Sequence, residues 1–276
     1  MPRAALVVLL MLLTVLPALA QGRRSGPPPV NLGAPPTAPP AGAPQPPPRS
    51  AAGRVVIESA GPGGKGIWMS LFPGGVVAHL TPLDTVPFQP WARKLYDERL
   101  AHQLEPHARC KPSGSVRQMQ TPYGVEIVDR PELQRVYIFD IGGPHSYREV
   151  FMDGRTHPPS LLPSAYGHSI GWWEGDTLVV DTAGYNEGSW IDRRGLPATD
   201  RLHTLERFTR RLHDTMTYEI TIDDPGAYTR AFSGRFDLRL DPATALFEYM
   251  CQEANHAGGL MLGTAEGVEA TTPMVP

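Results

Sequence analysis

Acidic residues are missing from the first fifty positions: all 28 Asp and Glu of the 276-residue chain lie beyond residue 52. Of the 25 Lys and Arg, only Arg3, Arg23, Arg24 and Arg49 precede that point, so 21 basic residues face 28 acidic ones in the remainder, a net charge of −7. A duplex-binding protein needs a basic footprint to displace phosphate counterions, and the body of this chain has the opposite sign. No nucleic-acid partner is expected. Cysteine is nearly absent, with Cys110 and Cys251 alone, so neither a Cys-x-x-Cys metal knuckle nor a disulfide-dense small scaffold is available. Beyond residue 20 there is no apolar run approaching the roughly 20 residues a membrane helix needs.

The first twenty residues differ from the rest. Arg3 precedes an apolar run from Ala4 to Leu16, and Ala18-Leu19-Ala20 supplies small residues before Gln21. That is the layout of a cleavable signal peptide over residues 1–20, which predicts a periplasmic or secreted protein with no transmembrane segment after cleavage. Export bears on the two cysteines. In an oxidising compartment a lone pair tends to cross-link, the alternative being two buried free thiols. A bond between positions this far apart stabilises by about 4–5 kcal/mol in the chain-entropy picture.

Residues 21–50 hold 11 of the 31 prolines, with Ala and Gly between them and almost no large apolar side chain. Such a stretch buries too little surface to offset its ordering entropy, so residues 21–52 read as a disordered, proline-rich linker. A folded domain is expected over 53–255 and a flexible tail over 256–276. One helix is predicted at Pro90–His102, with Pro90 suited to the first helical position and Trp91, Leu95 and Leu100 near one face. Strands are predicted at Arg135–Ile141, Tyr147–Met152, Thr177–Thr182, Leu205–Arg211, Met216–Ile222, Arg235–Leu240 and Leu246–Cys251. Met216, Tyr218, Ile220 and Ile222 alternate with Thr217, Glu219 and Thr221, and Phe236, Leu238 and Leu240 alternate with Arg235, Asp237 and Arg239. Period 2 with frequent turns predicts a mostly β fold: an antiparallel, lipocalin-like barrel meander with one short N-terminal helix and long loops.

Several segments carry chemistry-bearing residues. Gly167-His168-Ser169-Ile170-Gly171 matches the G-x-S-x-G pattern of serine esterases. That pattern works only on a strand-to-helix elbow. Here prolines precede it, and Trp172-Trp173-Glu174-Gly175-Asp176 follows as a turn into a strand, so the stretch reads as a loop packing His168 and Ser169 at the barrel rim. Glu174-Gly175-Asp176 is a hairpin turn, and Asp223-Asp224-Pro225 another, too poor in ligands for calcium. Asp153-Gly154-Arg155-Thr156-His157 brings a guanidinium fork and an imidazole close together, which suits an anionic ligand, the alternative being that Arg155 pairs with a nearby acid and His157 caps a loop. His145, His157, His168 and His203 lack any metal-site spacing, so neither a metal nor another cofactor is expected. On a regular strand His203 and Glu206 fall on opposite faces. Asn186, Trp190 and Asp192 lie in a loop that would overhang a barrel mouth.

The segments Asp153–Pro158, Gly167–Asn186, Leu202–Arg207, Thr221–Pro225 and Glu248–Cys251, with Pro90-Trp91-Ala92 and Ala108-Arg109-Cys110 upstream, resemble a large family of secreted proteins from environmental bacteria. The likeness spans roughly residues 87–255. The chain departs at Trp172, where the family usually has Arg, and at Ala231-Phe232-Ser233, where it usually has Pro-Trp-Thr. The resemblance implies export and a β fold and carries no activity with it. Three readings follow from the residues. The leading one is a small-molecule-binding barrel whose mouth presents Arg155, His157, Asn186, Trp190 and Tyr228. The second is a hydrolase or lyase in which His168 is the base, Asp181 or Glu206 its orienter, and Arg155 a clamp. The third is a non-catalytic envelope-associated protein.

Overall fold

The structure is a computed structural model that describes residues 44–59, 66–70, 80–103, 106, 110–121, 123–140, 146–248 and 251. The expected signal peptide, most of the linker, the tail over 256–276 and His145 lie outside these residues.

Nine strands form one sheet among the described residues. They are β1 (Ile67–Ser70), β2 (Glu126–Arg130), β3 (Arg135–Asp140), β4 (Ser146–Phe151), β5 (His168–Glu174), β6 (Thr177–Ala183), β7 (His203–Leu212), β8 (Thr215–Asp223) and β9 (Phe232–Asp241). Their order is β1-β9-β8-β7-β6-β5-β4-β3-β2. The two edges meet through one antiparallel bridge, Trp68–Val125, whose backbone bonds measure 2.8 and 2.9 Å. The result is a nearly closed, barrel-like sheet, and closure removes the exposed edges that invite aggregation. No described helix is long and apolar enough to cross a membrane.

The alternation in β8 and β9 has its expected physical cause. Met216, Tyr218, Ile220 and Ile222 are buried, as are Phe236, Leu238 and Leu240, and each large side chain withdrawn from water stabilises by about 1.5–3 kcal/mol. One pair departs from the antiparallel pattern. β4 and β5 run parallel over Val150↔Ser169 and Phe151↔Ile170, which the long connection 152–167 makes sterically feasible.

Three local expectations need correction. The GHSIG stretch is not a rim loop but the start of β5. Gly171 belongs inside that strand because a Cβ there would come within 2.8 Å of Val150 Cγ1 and Met152 Sδ. The side chain of Ser169 points into the barrel, buried, and shares a 2.8 Å hydrogen bond with Thr182 Oγ1, so it presents no exposed nucleophile. Leu246–Cys251 forms no strand over its described residues: β9 already pairs with β8 on one side and β1 on the other, which leaves no free ladder beside it. The helix α1 spans Pro90–His102, yet its buried face is Ala92, Tyr96 and Arg99. Trp91 is 46% exposed and donates its indole N–H to Gly226 O at 3.0 Å. Arg99 enters the interior because its guanidinium lies over the Trp190 ring, 5.1 Å from the centroid, and donates to Gly195 O.

Irregular segments and two helices cover the end of the barrel where β6 stops and β7 starts. The short helix α2 (Gly114–Gln118) is wholly buried there; Ser115 Oγ bonds Tyr185 OH at 2.6 Å, and Tyr185 OH bonds Thr204 Oγ1 at 2.8 Å. Gln120 donates to Ile191 O, and Tyr228 OH donates to Pro197 O at 2.7 Å. Cys110 and Cys251 are joined as a disulfide with Cα atoms 5.6 Å apart, fastening this region to the chain's last described residue. Residues 44–52, assigned to the linker by composition, also touch the sheet: His213 N–H donates to Gln45 O, and Arg49 pairs with Asp176 at 2.6 Å.

Candidate functional site

Because side chains alternate along a strand, neighbours in sequence on β6 and β7 serve opposite faces. Thr182 and Glu206 point into the barrel, Asp181 and His203 out of it. The residues singled out from sequence are sorted by this rule.

The outer face gathers His168, Asp181, His157 and Arg155, and adds His203. Asp181 Oδ1 accepts from His157 Nε2 at 3.0 Å and from His203 Nε2 at 2.7 Å. His157 Nδ1 lies 2.8 Å from His168 Nδ1. A carboxylate only accepts, so the hydrogen of a neutral His157 sits on Nε2 and its Nδ1 is an acceptor. His168 then donates from Nδ1, which leaves a lone pair on its Nε2. That nitrogen has no partner among the described residues. The chain Asp181–His157–His168 thus fixes two tautomers and ends in a base.

The surroundings tune it. Burial first, then the neighbouring His157 and Arg155, hold the pKa of His168 below its ordinary value, so it is unprotonated at neutral pH. The bond to Asp181 raises that of His203. Burial alone would raise Asp181, but the bonds from His203 and His157 outweigh it and keep the carboxyl low. Phe151 stacks on His168 with centroids 5.0 Å apart and planes 18° from parallel. Arg155 lies over the same Phe151 ring at 4.0 Å and donates to Asp153 at 2.6 Å, and Arg135 also lies over that ring at 4.3 Å.

Glu206 is not part of this cluster. It sits inside the barrel, where its Oε2 pairs with Arg148 Nη1, while Oε1 accepts from Arg148 Nη2 at 3.2 Å and Tyr218 OH at 2.8 Å. Both partners are buried, at 1% and 0% side-chain exposure, so this is a structural ion pair and Glu206 cannot orient His168.

Asn186 and Trp190 lie apart from the outer-face cluster, in a cleft of about 130 Å³ in the covered end. Lys111, Ser113, Arg117 and Ser189 line it with them. Asn186 Oδ1 accepts from Ser189, and the indole N–H of Trp190, itself 3% exposed, has no hydrogen-bond partner among the described residues. Asp192, two residues on, is a loop staple: its Oδ1 accepts from the backbone N–H groups of Arg194, Gly195 and Leu196. Burial pushes its carboxyl up to about 6 despite those bonds. Tyr228 belongs to neither site. Its ring packs against Phe232 and Phe88 and its hydroxyl bonds Pro197 O, so it is a core pin of the covered end.

Among the described residues no group of three or more His, Cys, Asp or Glu is arranged to hold a metal ion. His157 already spends both nitrogens on Asp181 and His168. Sequence reasoning missed Phe151 and treated His203 only as a scattered histidine. The signal was nevertheless present: His203 and Asp181 both alternate outward on consecutive strands.

Comparison with protein-family models, with curated proteins and with solved structures finds no match for this chain.

Proposed function

We propose that this chain is an exported hydrolase or lyase that works by general acid–base catalysis at His168. The observation that carries the reading is the Asp181–His157–His168 chain, which delivers a depressed-pKa imidazole with its Nε2 unoccupied. In the forward step His168 Nε2 takes a proton, from water in a hydrolysis or from a carbon acid in an elimination. Its Nδ1 proton passes to His157 Nδ1, so the imidazolium forms against the Asp181 carboxylate, where the charge is balanced. His203 holds the other donor position on Asp181 and keeps that carboxylate aimed. Arg155 presents a guanidinium next to the base for a developing oxyanion or a substrate carboxylate. The Cys110–Cys251 bond supports export, since such bonds persist in oxidising compartments.

The test is turnover of a panel of 4-nitrophenyl esters, glycosides and uronate-containing oligosaccharides by the full chain. Activity that falls about 10²–10⁴-fold in His168→Ala supports the reading. Activity that survives His168→Ala and Asp181→Asn overturns it.

A second reading rests on the covered end. There, in a lipocalin-like manner, a small carboxylate would enter the cleft beside Lys111, Ser113 and Trp190 and take up the unpartnered indole N–H. A thermal-shift response to short carboxylic acids that disappears in Trp190→Phe would favour it.

A further inference from the structure

Next to the His168 chain the outer face of β3 and β4 carries three aromatic rings in mutual contact. Phe139 and Tyr147 are register partners with centroids 5.7 Å apart, and Tyr137 lies 6.1 Å from Phe139 and 6.4 Å from Tyr147. Outward positions of an antiparallel barrel are ordinarily polar, and Tyr147 is 58% exposed. Phe139 and Tyr147 border a groove of about 450 Å³ lined also by Leu246, Phe247, Ser146, Asp140 and Glu248. Phe247 is itself exposed. Along β4 the same face continues through Glu149 to Phe151, roughly 13 Å from Tyr147 at about 3.3 Å per residue, and Phe151 stacks on His168.

We infer that this strip binds an extended neutral glycan and leads it to His168. A pyranose has a flat face of C–H groups and a rim of hydroxyl donors. It therefore needs aromatic rings and an oxygen acceptor side by side, which is what Phe139, Tyr147 and Phe247 offer beside the exposed Glu248. Other occupants fit less well. Nucleic acid is repelled by Glu248 and the net negative body. An anionic membrane surface calls for Lys and Arg at the rim rather than carboxylates. A purely apolar peptide offers no donor to Glu248. The length of the strip suits an oligosaccharide rather than a single sugar. Stacking on an open sheet face also suits a polymer, which cannot enter an enclosed pocket.

The inference names the substrate class of the acid–base site and rests on that reading only for what happens at His168; binding stands alone. Affinity electrophoresis and titration calorimetry of the full chain with cellohexaose, chitohexaose and xylohexaose test it. Binding of at least one hexamer is expected, weakened at least tenfold in Tyr147→Ala and Phe139→Leu. Far-UV circular dichroism of each variant confirms folding. Failure of all three hexamers to bind, or binding indifferent to Tyr147→Ala, overturns the inference. So does a dimer in sedimentation that Tyr147→Ala dissociates, since a second copy would then be what covers the rings. Loss of glycan binding with His168-dependent ester cleavage intact sinks this inference alone, whereas binding retained without any His168-dependent turnover sinks only the catalytic reading.

Discussion

The two faces of the β6–β7 pair treat ionisable groups in opposite ways. Inside, Glu206 is surrounded by Arg148 and Tyr218, with both carboxylate oxygens occupied and no water access. Outside, three residues earlier on the same strand, His203 joins a chain of side chains that ends in an unoccupied nitrogen on His168. Around its carboxylate the inner network is closed, though the buried Arg148 Nε has no hydrogen-bond partner among the described residues, and the outer one is open. A closed network in a low-dielectric interior fixes the packing and answers to nothing, while an open one at a half-exposed surface is placed to exchange protons. Charge in a strand is therefore a poor sign of function until its face and its free valences are known.

The contrast is broken most forcefully from inside. Glu206→Ala strands a buried guanidinium and should cost about 3–5 kcal/mol in urea or thermal unfolding, if the variant folds at all. Glu206→Gln keeps the shape but not the charge and should recover only part of that loss. The covered end gives an intermediate case. Asp192→Ala removes one acceptor from three backbone N–H groups and should cost about 2–3 kcal/mol, whereas Asp192→Asn keeps an acceptor and sheds a buried charge, and should cost much less.

On the outer face the expected stability effects are small and dependent on pH. The raised pKa of His203 means its bond to Asp181 contributes fully below the unfolded imidazole value of about 6.5 and is lost as pH rises through the higher native value. Asp181, held low, contributes above the unfolded carboxyl value near 3.9 and fades only in stronger acid. His203→Ala should therefore lower stability by less than about 1 kcal/mol, mainly between about pH 4 and 6.5, and by less in alkali, where only the hydrogen bond of the neutral imidazole is lost. His168 has the opposite sign: its depressed pKa makes native structure resist protonation, so its penalty appears as pH falls. His168→Ala should stay within about 0.5 kcal/mol of the parent at pH 8 and gain on it in acid, as chemical unfolding at several pH values will show.

Much of the barrel was legible because its sheet is dry on one face and wet on the other. That asymmetry writes the alternation of Met216–Ile222 and Arg235–Leu240 directly into the residues. β5 was not legible: its Gly and paired Trp resemble a turn, and only the close approach of Val150 and Met152 explains why a strand needs glycine there. β1 escaped as four residues too short to show a period. At the site, Arg155, His157, His168 and Asp181 were each visible as unusual side chains, and the structure brings them together. The order in which they bond was not visible, because it depends on a loop folding back across β5 and β6. Asn186, Trp190 and Tyr228 had seemed to share one mouth. They separate because that end is filled by α2 and the segments around Pro197 and Ala227.

The pairing of β1 with β9 has a kinetic consequence. Every other ladder in the sheet joins strands adjacent in sequence, so β5–β6 and β7–β8 can each zip as a hairpin across a two-residue turn before the longer link 184–202 brings them together. Ile67–Ser70 finds its partner only when Phe232–Asp241 exists, more than 160 residues later. As the polypeptide is synthesised, its first described strand has only the single Trp68–Val125 bridge to hold it until almost the whole sheet has been made. Ring closure is then the slowest step, and the interval before it is when the nascent chain is most vulnerable to self-association.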